Sequence, residues 1–441
     1  MHSFHYRDGQ LCCEAVALAD LAAEHGTPLY VYSAETILDH FQRLDAAFNA
    51  LDHLVCYAVK ANSNLAVLHL LARAGAGFDI VSAGELFRVQ KAGGDAGRCT
   101  FAGVAKTEPE IEFALRQGIY AFNVESEEEL DRINAVAGRV GALAPVAVRV
   151  NPEVAAGGHK HISTGTSENK FGVAFDRVAD LYADAARRLP HVRLRGVQFH
   201  IGSQITAAGP FAAAVEKMVP LARALQRAHG IEFLSIGGGL GIVYRASLES
   251  GSAAWWRQEE TALEDGAVMP PTQLTVEAYA EALLPLLRGL GLKILLEPGR
   301  LLVGNAGVLL TRVQYRKTTA SGKQFVIVDA GMNDLIRPAL YEGWHEVVPV
   351  REPAVNSARE RVDVVGPVCE SGDFFAQDRE VPRVAPGELI ALMSAGAYGF
   401  TMASNYNARP LPAEVLVRGA RATLVRARQT LDDLVRGERI D

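Results

Sequence analysis

The 441 residues contain only five cysteines, Cys12, Cys13, Cys56, Cys99 and Cys369. They are too few and too scattered for a disulfide framework, and none stands in a paired CxxC zinc spacing, so most are expected to be buried thiols. No apolar run approaches the roughly 18 residues that cross a bilayer. The N-terminal MHSFHYRDGQ has no charged-then-apolar order, so no secretory leader is expected and the predicted location is cytoplasmic. Nor is there a run of Lys and Arg with interleaved aromatics. With a formal charge of -7, the chain is a poor partner for nucleic acid. His159 and His161 alternate in the glycine-rich GGHKHIS without a cysteine or carboxylate beside them, and no metal is assigned. Internal repeats and low-complexity segments are absent. What remains, 49% apolar and 22% charged residues, is the composition of a globular protein long enough for two domains.

Between residues 50 and 300, short apolar runs alternate with helical patterns, the signature of repeated βα units. Strands are expected near 54–59, 78–81, 99–103, 121–124, 146–150, 194–200, 233–238 and 293–299, the number that closes a (β/α)8 barrel of the TIM type. In ETILDHFQRLDAAF, residues Ile37, Leu38, Phe41, Leu44 and Phe48 share one helical face, which is core packing and nothing more. Past residue 300 the runs alternate in the β manner (FVIVDAG, VDVVGPV, ELIALMSAG), so a second, mostly β domain, Greek-key-like, begins there. The opening residues, ending in PLYVYS, are also strand-like and are expected to join it. The division is then 36–300 for the barrel, with 1–35 and 301–441 for the β domain. Residues 245–275 are a mixed insertion. Trp255 and Trp256 within it either cover a barrel mouth or a subunit contact, or are the apolar anchor of a surface excursion.

A barrel enzyme builds its site at the C-terminal ends of its strands. The first expected strand runs into Lys60, which reads either as a snorkelling surface residue or as a desolvated amine suited to a Schiff base. The seventh ends in Gly237–Gly241 (GGGLG), where bare backbone N–H groups suit a phosphate, though glycine runs also serve tight turns. The eighth ends in Glu297-Pro298-Gly299-Arg300, where a carboxylate stands ready for a pyridinium nitrogen or for an ordinary ion-paired turn. Strands 1, 7 and 8 are neighbours in a closed barrel. Amine, phosphate cradle and carboxylate are together the contacts that pyridoxal phosphate requires.

Over nearly its whole length the chain resembles the diaminopimelate decarboxylases of the alanine-racemase-like, fold type III pyridoxal-phosphate enzymes. YAVKAN, FDIVSAGEL, NVESEEEL, NPEVAAGGHKHISTGTSENKFG, GVQFHIGSQ, GGGLG, LEPGR, VDAGMNDLIRPALY, GPVCESGD and GAYGFTMASNYN are similar to that family's motifs, in its order. The resemblance implies decarboxylation of meso-diaminopimelate to L-lysine, with pyridoxal 5'-phosphate on Lys60 and His200 stacked on its ring. It implies that Ser203, Gly238, Gly239, Gly299, Arg300 and Tyr398 hold the cofactor's phosphate. Glu297 would keep the pyridine nitrogen protonated, and Asp79, Glu85 and Arg149 would orient Lys60 and the ring, unless they are plain buried ion pairs. Arg300, Arg337, Tyr341, Glu370 and Tyr398 would bind the substrate, gripping its L-centre while the D-centre reacts. Cys369 would act as proton donor in the partner subunit's site, Lys60 being the other candidate donor, which makes the expected partner a second copy in a homodimer with shared sites. The alternatives are a decarboxylase of ornithine, arginine, D-lysine or D-ornithine, for which a pair of carboxylate-binding arginines has no purpose, and an inactive homologue that serves as a binding protein.

Overall fold

A computed structural model of the chain describes residues 1–154, 170–257, 261–262, 268–269 and 273–441. His159 and His161 lie outside the described residues. Two compact units divide the chain: the first holds the described residues of Met1–Ile37, Val243–Pro271 and Leu302–Asp441, and the second those of Leu38–Ile242 and Thr272–Leu301.

In the second unit every expected strand forms: His53–Ala58, Gly77–Ile80, Cys99–Phe101, Ala121–Val124, Ala144–Asn151, Val192–Phe199, Phe233–Ser235 and Lys293–Leu296. They run parallel in sequence order, the last beside the first, and Phe122↔Val146 and Val124↔Val148 complete the ring. Helices cover the outside, so the strands are buried on both faces and read as continuous apolar runs rather than alternating ones. The helices start and stop on local chemistry. Ser126 accepts from the Glu129 backbone N–H at the head of Glu127–Val140, whose first turn is all glutamate, and Gly141 ends that helix in the left-handed conformation.

The ring's interior is layered. Leu54, Cys56, Ala121, Ala147, Phe233 and Leu295 pack together as one apolar cluster. Side chains of a strand return to the same face every second residue. The next inward positions toward the C-terminal ends are therefore Asn123, Arg149, Ser235 and Glu297, with Asp79 and Gln198 filling the same layer from their own strands; all six are buried. A polar storey thus rests on an apolar floor.

The first unit is a sheet buried on both faces. Leu29–Ser33 lies between Gly307–Thr318, antiparallel to it, and Ala413–Arg418, parallel to it. Alternate residues serve opposite cores. Tyr30, Tyr32, Leu309, Ile390 and Leu392 enter one cluster, while Leu29, Val31, Val308, Leu310, Ala391 and Met393 enter the other.

The segment that follows the seventh barrel strand departs from the sequence expectation, which kept it within the barrel at 36–300. From Val243 it packs into the sheet unit. The cause is a buried polar knot: the Ser247 hydroxyl meets Ser394 Oγ at 2.6 Å, His2 Nε2 meets the Ser247 carbonyl at 2.6 Å, and the Leu248 N–H donates to Glu346. Trp255 is buried and edge-on to Trp256.

Candidate active site

Lys60 follows the first strand in a short 3₁₀ turn, Val59–Ala61. Its Nζ lies 3.1 Å from Asp79 Oδ2, and its side chain is 43% exposed while that of Asp79 is 2% exposed. The amine is therefore accessible at the end of the strand while its carboxylate partner is sunk in the wall. The second carboxylate oxygen of Asp79 is buried with no hydrogen-bond partner among the described residues.

Glu297 is the hub of the polar storey. Its Oε1 accepts from the Ser235 hydroxyl at 2.7 Å and from Asn123 Nδ2 at 3.3 Å, and its Oε2 from Gln198 Nε2 at 3.0 Å. All three donors are neutral. Burial, and then the charge of Asp79, push the Glu297 carboxyl up to about 7, against the opposing pull of Ser235, Lys60 and Gln198. Sequence reasoning missed Asn123, Gln198 and Ser235, although each is a polar residue set two positions beyond a buried apolar or glycine one in a barrel strand.

His200 immediately follows the sixth strand. The Gly238 N–H donates to its Nδ1 at 3.2 Å, which makes that nitrogen an acceptor. Burial, followed by the charges of Arg149 and Lys60, lowers its pKa well below the usual imidazole value, so the ring is neutral at physiological pH. Arg149 itself ion-pairs with Glu125 at 2.9 Å. Glu85 accepts from the Val81 N–H, and burial raises its carboxyl to about 7.

The glycine run packs against the loops on either side. A Cβ on Gly238 would overlap the Glu297 carbonyl oxygen, and one on Gly239, at φ +110°, would overlap that of Gly202. The Ile205 N–H donates to the Gly239 carbonyl at 2.9 Å. Arg300 Nη2 donates to Ser203 Oγ at 3.0 Å, and Gly299 is buried beside it. Thus Lys60, Asp79, His200, Ser203, Gly238, Gly239, Glu297, Gly299 and Arg300 all belong to the barrel unit, at or just past its strand ends.

This set fits pyridoxal phosphate. A buried carboxyl held only by neutral donors has its charged form stabilised by a cation placed against it, as a protonated pyridine nitrogen would be. Ser203, Arg300 and the glycine backbone offer donors of the kind a phosphate takes.

The remaining expected residues belong to the sheet unit. Arg337 and Tyr341 open and close the helix Arg337–Tyr341. Tyr398 adopts the left-handed conformation at φ 56°. Cys369 and Glu370 are exposed on the loop between Arg359–Val365 and Phe374–Pro382, so Cys369 does not share the burial of the other four cysteines. Asp373, absent from the sequence reading, braces that loop: its two carboxylate oxygens accept from the Met332 and Val368 N–H groups, each at 2.6 Å. The signal for it was the acid that closes CESGD.

Residues 34–304 match the family model described as pyridoxal-dependent decarboxylase, pyridoxal binding domain. The chain is 49% identical to the diaminopimelate decarboxylase of Vibrio cholerae, over 98% of each chain. Among solved structures it is similar to diaminopimelate decarboxylase from Helicobacter pylori complexed with L-lysine, with a TM-score of 0.84, 38% identity and coverage of 95% of this chain and 98% of that one. It is also similar to diaminopimelate decarboxylase from M. jannaschii in co-complex with L-lysine, with a TM-score of 0.87, 35% identity and coverage of 100% of this chain and 98% of that one.

Proposed function

The chain belongs to the diaminopimelate decarboxylases of the pyridoxal-dependent decarboxylase family; it removes one carboxylate from meso-diaminopimelate to give L-lysine and carbon dioxide, the last step of lysine biosynthesis, and we propose that pyridoxal phosphate carried on Lys60 is its cofactor. The observation that carries this reading is the pairing, in one barrel, of an accessible Lys60 with a buried Glu297 whose three hydrogen-bonding side chains are all neutral.

Bound there, pyridoxal phosphate supplies the electron sink that takes up the pair left behind by departing carbon dioxide. The chain's residues do the rest. Asp79 holds the Lys60 amine in place. Glu297, fixed by Asn123, Ser235 and Gln198, keeps a proton on the ring nitrogen. Neutral His200 would lie against the ring face without adding charge to it, and Ser203, Gly238, Gly239, Gly299, Arg300 and Tyr398 would hold the phosphate.

Arg300, Arg337 and Tyr341 take the carboxylate remote from the reaction, a task for planar bidentate donors, and Glu370 takes the remote ammonium. The partner subunit's Cys369 delivers a proton to the carbon that has lost its carboxylate. The working form is a homodimer in the cytoplasm. Among the described residues no helix is long and apolar enough to cross a membrane.

The substrate assignment is tested by incubating the protein and pyridoxal phosphate with meso-diaminopimelate, L-ornithine, L-arginine and D-lysine in turn, following carbon dioxide and identifying each amine. Lysine formed from diaminopimelate alone is expected; release from another amino acid would overturn the roles given to the arginines and Glu370. Shared sites have their own test. Lys60→Ala and Cys369→Ala chains are each impaired alone, and mixed in equal amounts they are expected to regain about a quarter of wild-type activity, because random pairing makes half the dimers mixed and one of the two sites in each of those is intact. No recovery in verified mixed dimers would sink the shared-site arrangement.

A further inference from the structure

Arg337 is 7% exposed, and its guanidinium cannot shed its charge, so its orientation depends on the acceptors around it. The local chain brings one to it. After the helix Arg337–Tyr341, Glu342 turns the backbone at φ 52° and the Gly343 N–H closes onto the Arg337 carbonyl at 3.1 Å. His345, fully buried, then returns beneath the arginine, and its Nε2 lies 2.7 Å from Arg337 Nη1. On its other side, His345 Nδ1 lies 2.8 Å from the Met393 carbonyl oxygen.

Both partners are one-way. A guanidinium only donates and a carbonyl only accepts, so Nε2 must accept and Nδ1 must carry the proton. One neutral tautomer alone makes both bonds. The Tyr244 ring completes the setting: its centroid is 4.6 Å from Arg337 Cζ, and it stands edge-on to His345 at 5.5 Å and 83°.

We propose that His345, held in a single tautomer by the Met393 carbonyl, is a positioning residue that fixes the Arg337 guanidinium for the substrate's remote carboxylate. This rests on the reading of Arg337 as the group that binds that carboxylate. His345 touches neither substrate nor cofactor. Its effect is on recognition of a second carboxylate, and hence on discrimination against amino acids that have none.

The test compares kcat and KM for meso-diaminopimelate among His345→Leu, His345→Gln, Arg337→Ala and the Leu/Ala double variant, with the absorbance of bound cofactor as the check on folding. Loss of a hydrogen bond to a charged group corresponds to about 10–100-fold in KM, expected for His345→Leu with kcat held within about threefold. His345→Gln, whose amide both donates and accepts, is expected to recover most of that loss. Added to Arg337→Ala, His345→Leu should change KM by less than about twofold, because it acts through the arginine. Where His345→Leu does not fold, His345→Asn, polar but too short to reach Nη1, carries the same expected rise in KM. An unchanged KM in a folded His345 variant, or losses that multiply in the double variant, overturns the proposal. An unchanged KM in Arg337→Ala overturns instead the carboxylate role of Arg337 on which it rests.

Discussion

Lys60→Ala protein is expected to release carbon dioxide from meso-diaminopimelate about four orders of magnitude more slowly than the wild type, or slower still. The amine is the covalent handle of the proposed chemistry, and among the described residues no second lysine is paired with Asp79. The substitution also leaves the 2%-exposed Asp79 side chain without its cation. A buried carboxylate deprived of its partner is destabilising, by less here than for a fully buried pair because the Lys60 side chain is 43% exposed. Lys60→Ala should therefore melt at a lower temperature than the wild type, and adding Asp79→Asn should restore the melting temperature without restoring activity. The two readouts separate a chemical role from a structural one. Activity within tenfold of wild type in Lys60→Ala would remove this lysine from the mechanism.

Glu297→Gln is expected to move stability and activity in opposite directions. Its carboxyl has an ordinary value of 4.5 and is raised to about 7 in the folded protein. Below the lower value both the folded and the unfolded chain carry the proton. As pH rises from 4.5 to about 7 the unfolded chain gives it up and the folded chain keeps it, so stability falls through this window, by about 3 kcal/mol in all. The amide cannot titrate, and the cofactor-free variant should lose less stability than the cofactor-free wild type between pH 5.5 and pH 8. Glu85, Asp334 and Glu346 are likewise raised to about 7, but they are present in both proteins, so the difference in slope belongs to Glu297. Decarboxylation, in contrast, should drop by about 10²–10³-fold, because a neutral amide does not hold a proton on the ring nitrogen. Parallel melting curves for the two proteins across this range would show that Glu297 is not held as a strained acid. Full activity in the variant would show that its charge does not serve the reaction.

The barrel was legible in the sequence because strands buried on both faces must be largely apolar, and eight such runs at helical spacing leave little choice of architecture. Its chemistry was half legible. Lys60, the glycine run and Glu297 stand just past the strands, where a polar residue after an apolar run catches the eye, but each alone had a plain structural explanation. Only their order along the chain, matched to a family, chose between readings. Asn123, Gln198 and Ser235 were hidden inside the strands, where a lone polar residue reads as a flaw in the pattern until its partners in the same layer are found on the neighbouring strands. His345 and Tyr244 were out of reach for another reason. They meet Arg337 through a left-handed turn and a chain crossing between distant segments, and neither leaves a periodic trace. The same limit misplaced Val243 onward, whose attachment to the sheet unit depends on hydrogen bonds among Ser247, Ser394, His2 and Glu346 rather than on any apolar repeat.

The position of Leu29–Ser33 governs the order in which this protein is made. It is made before the barrel, yet Leu29 must pair with Ala413 and Leu310, segments synthesised only after the last barrel strand. The barrel is in effect an insertion between two strands of one sheet. It completes its ring on the nascent chain while the sheet waits for its C-terminal strands, a topology of high contact order in which the closing step is slow and the waiting edges are open to other chains. Expression at reduced temperature or with chaperones should therefore raise the yield of the full chain more than that of the barrel segment, and deletion of the first 33 residues should cost the C-terminal sheet its centre although it leaves every barrel strand in place.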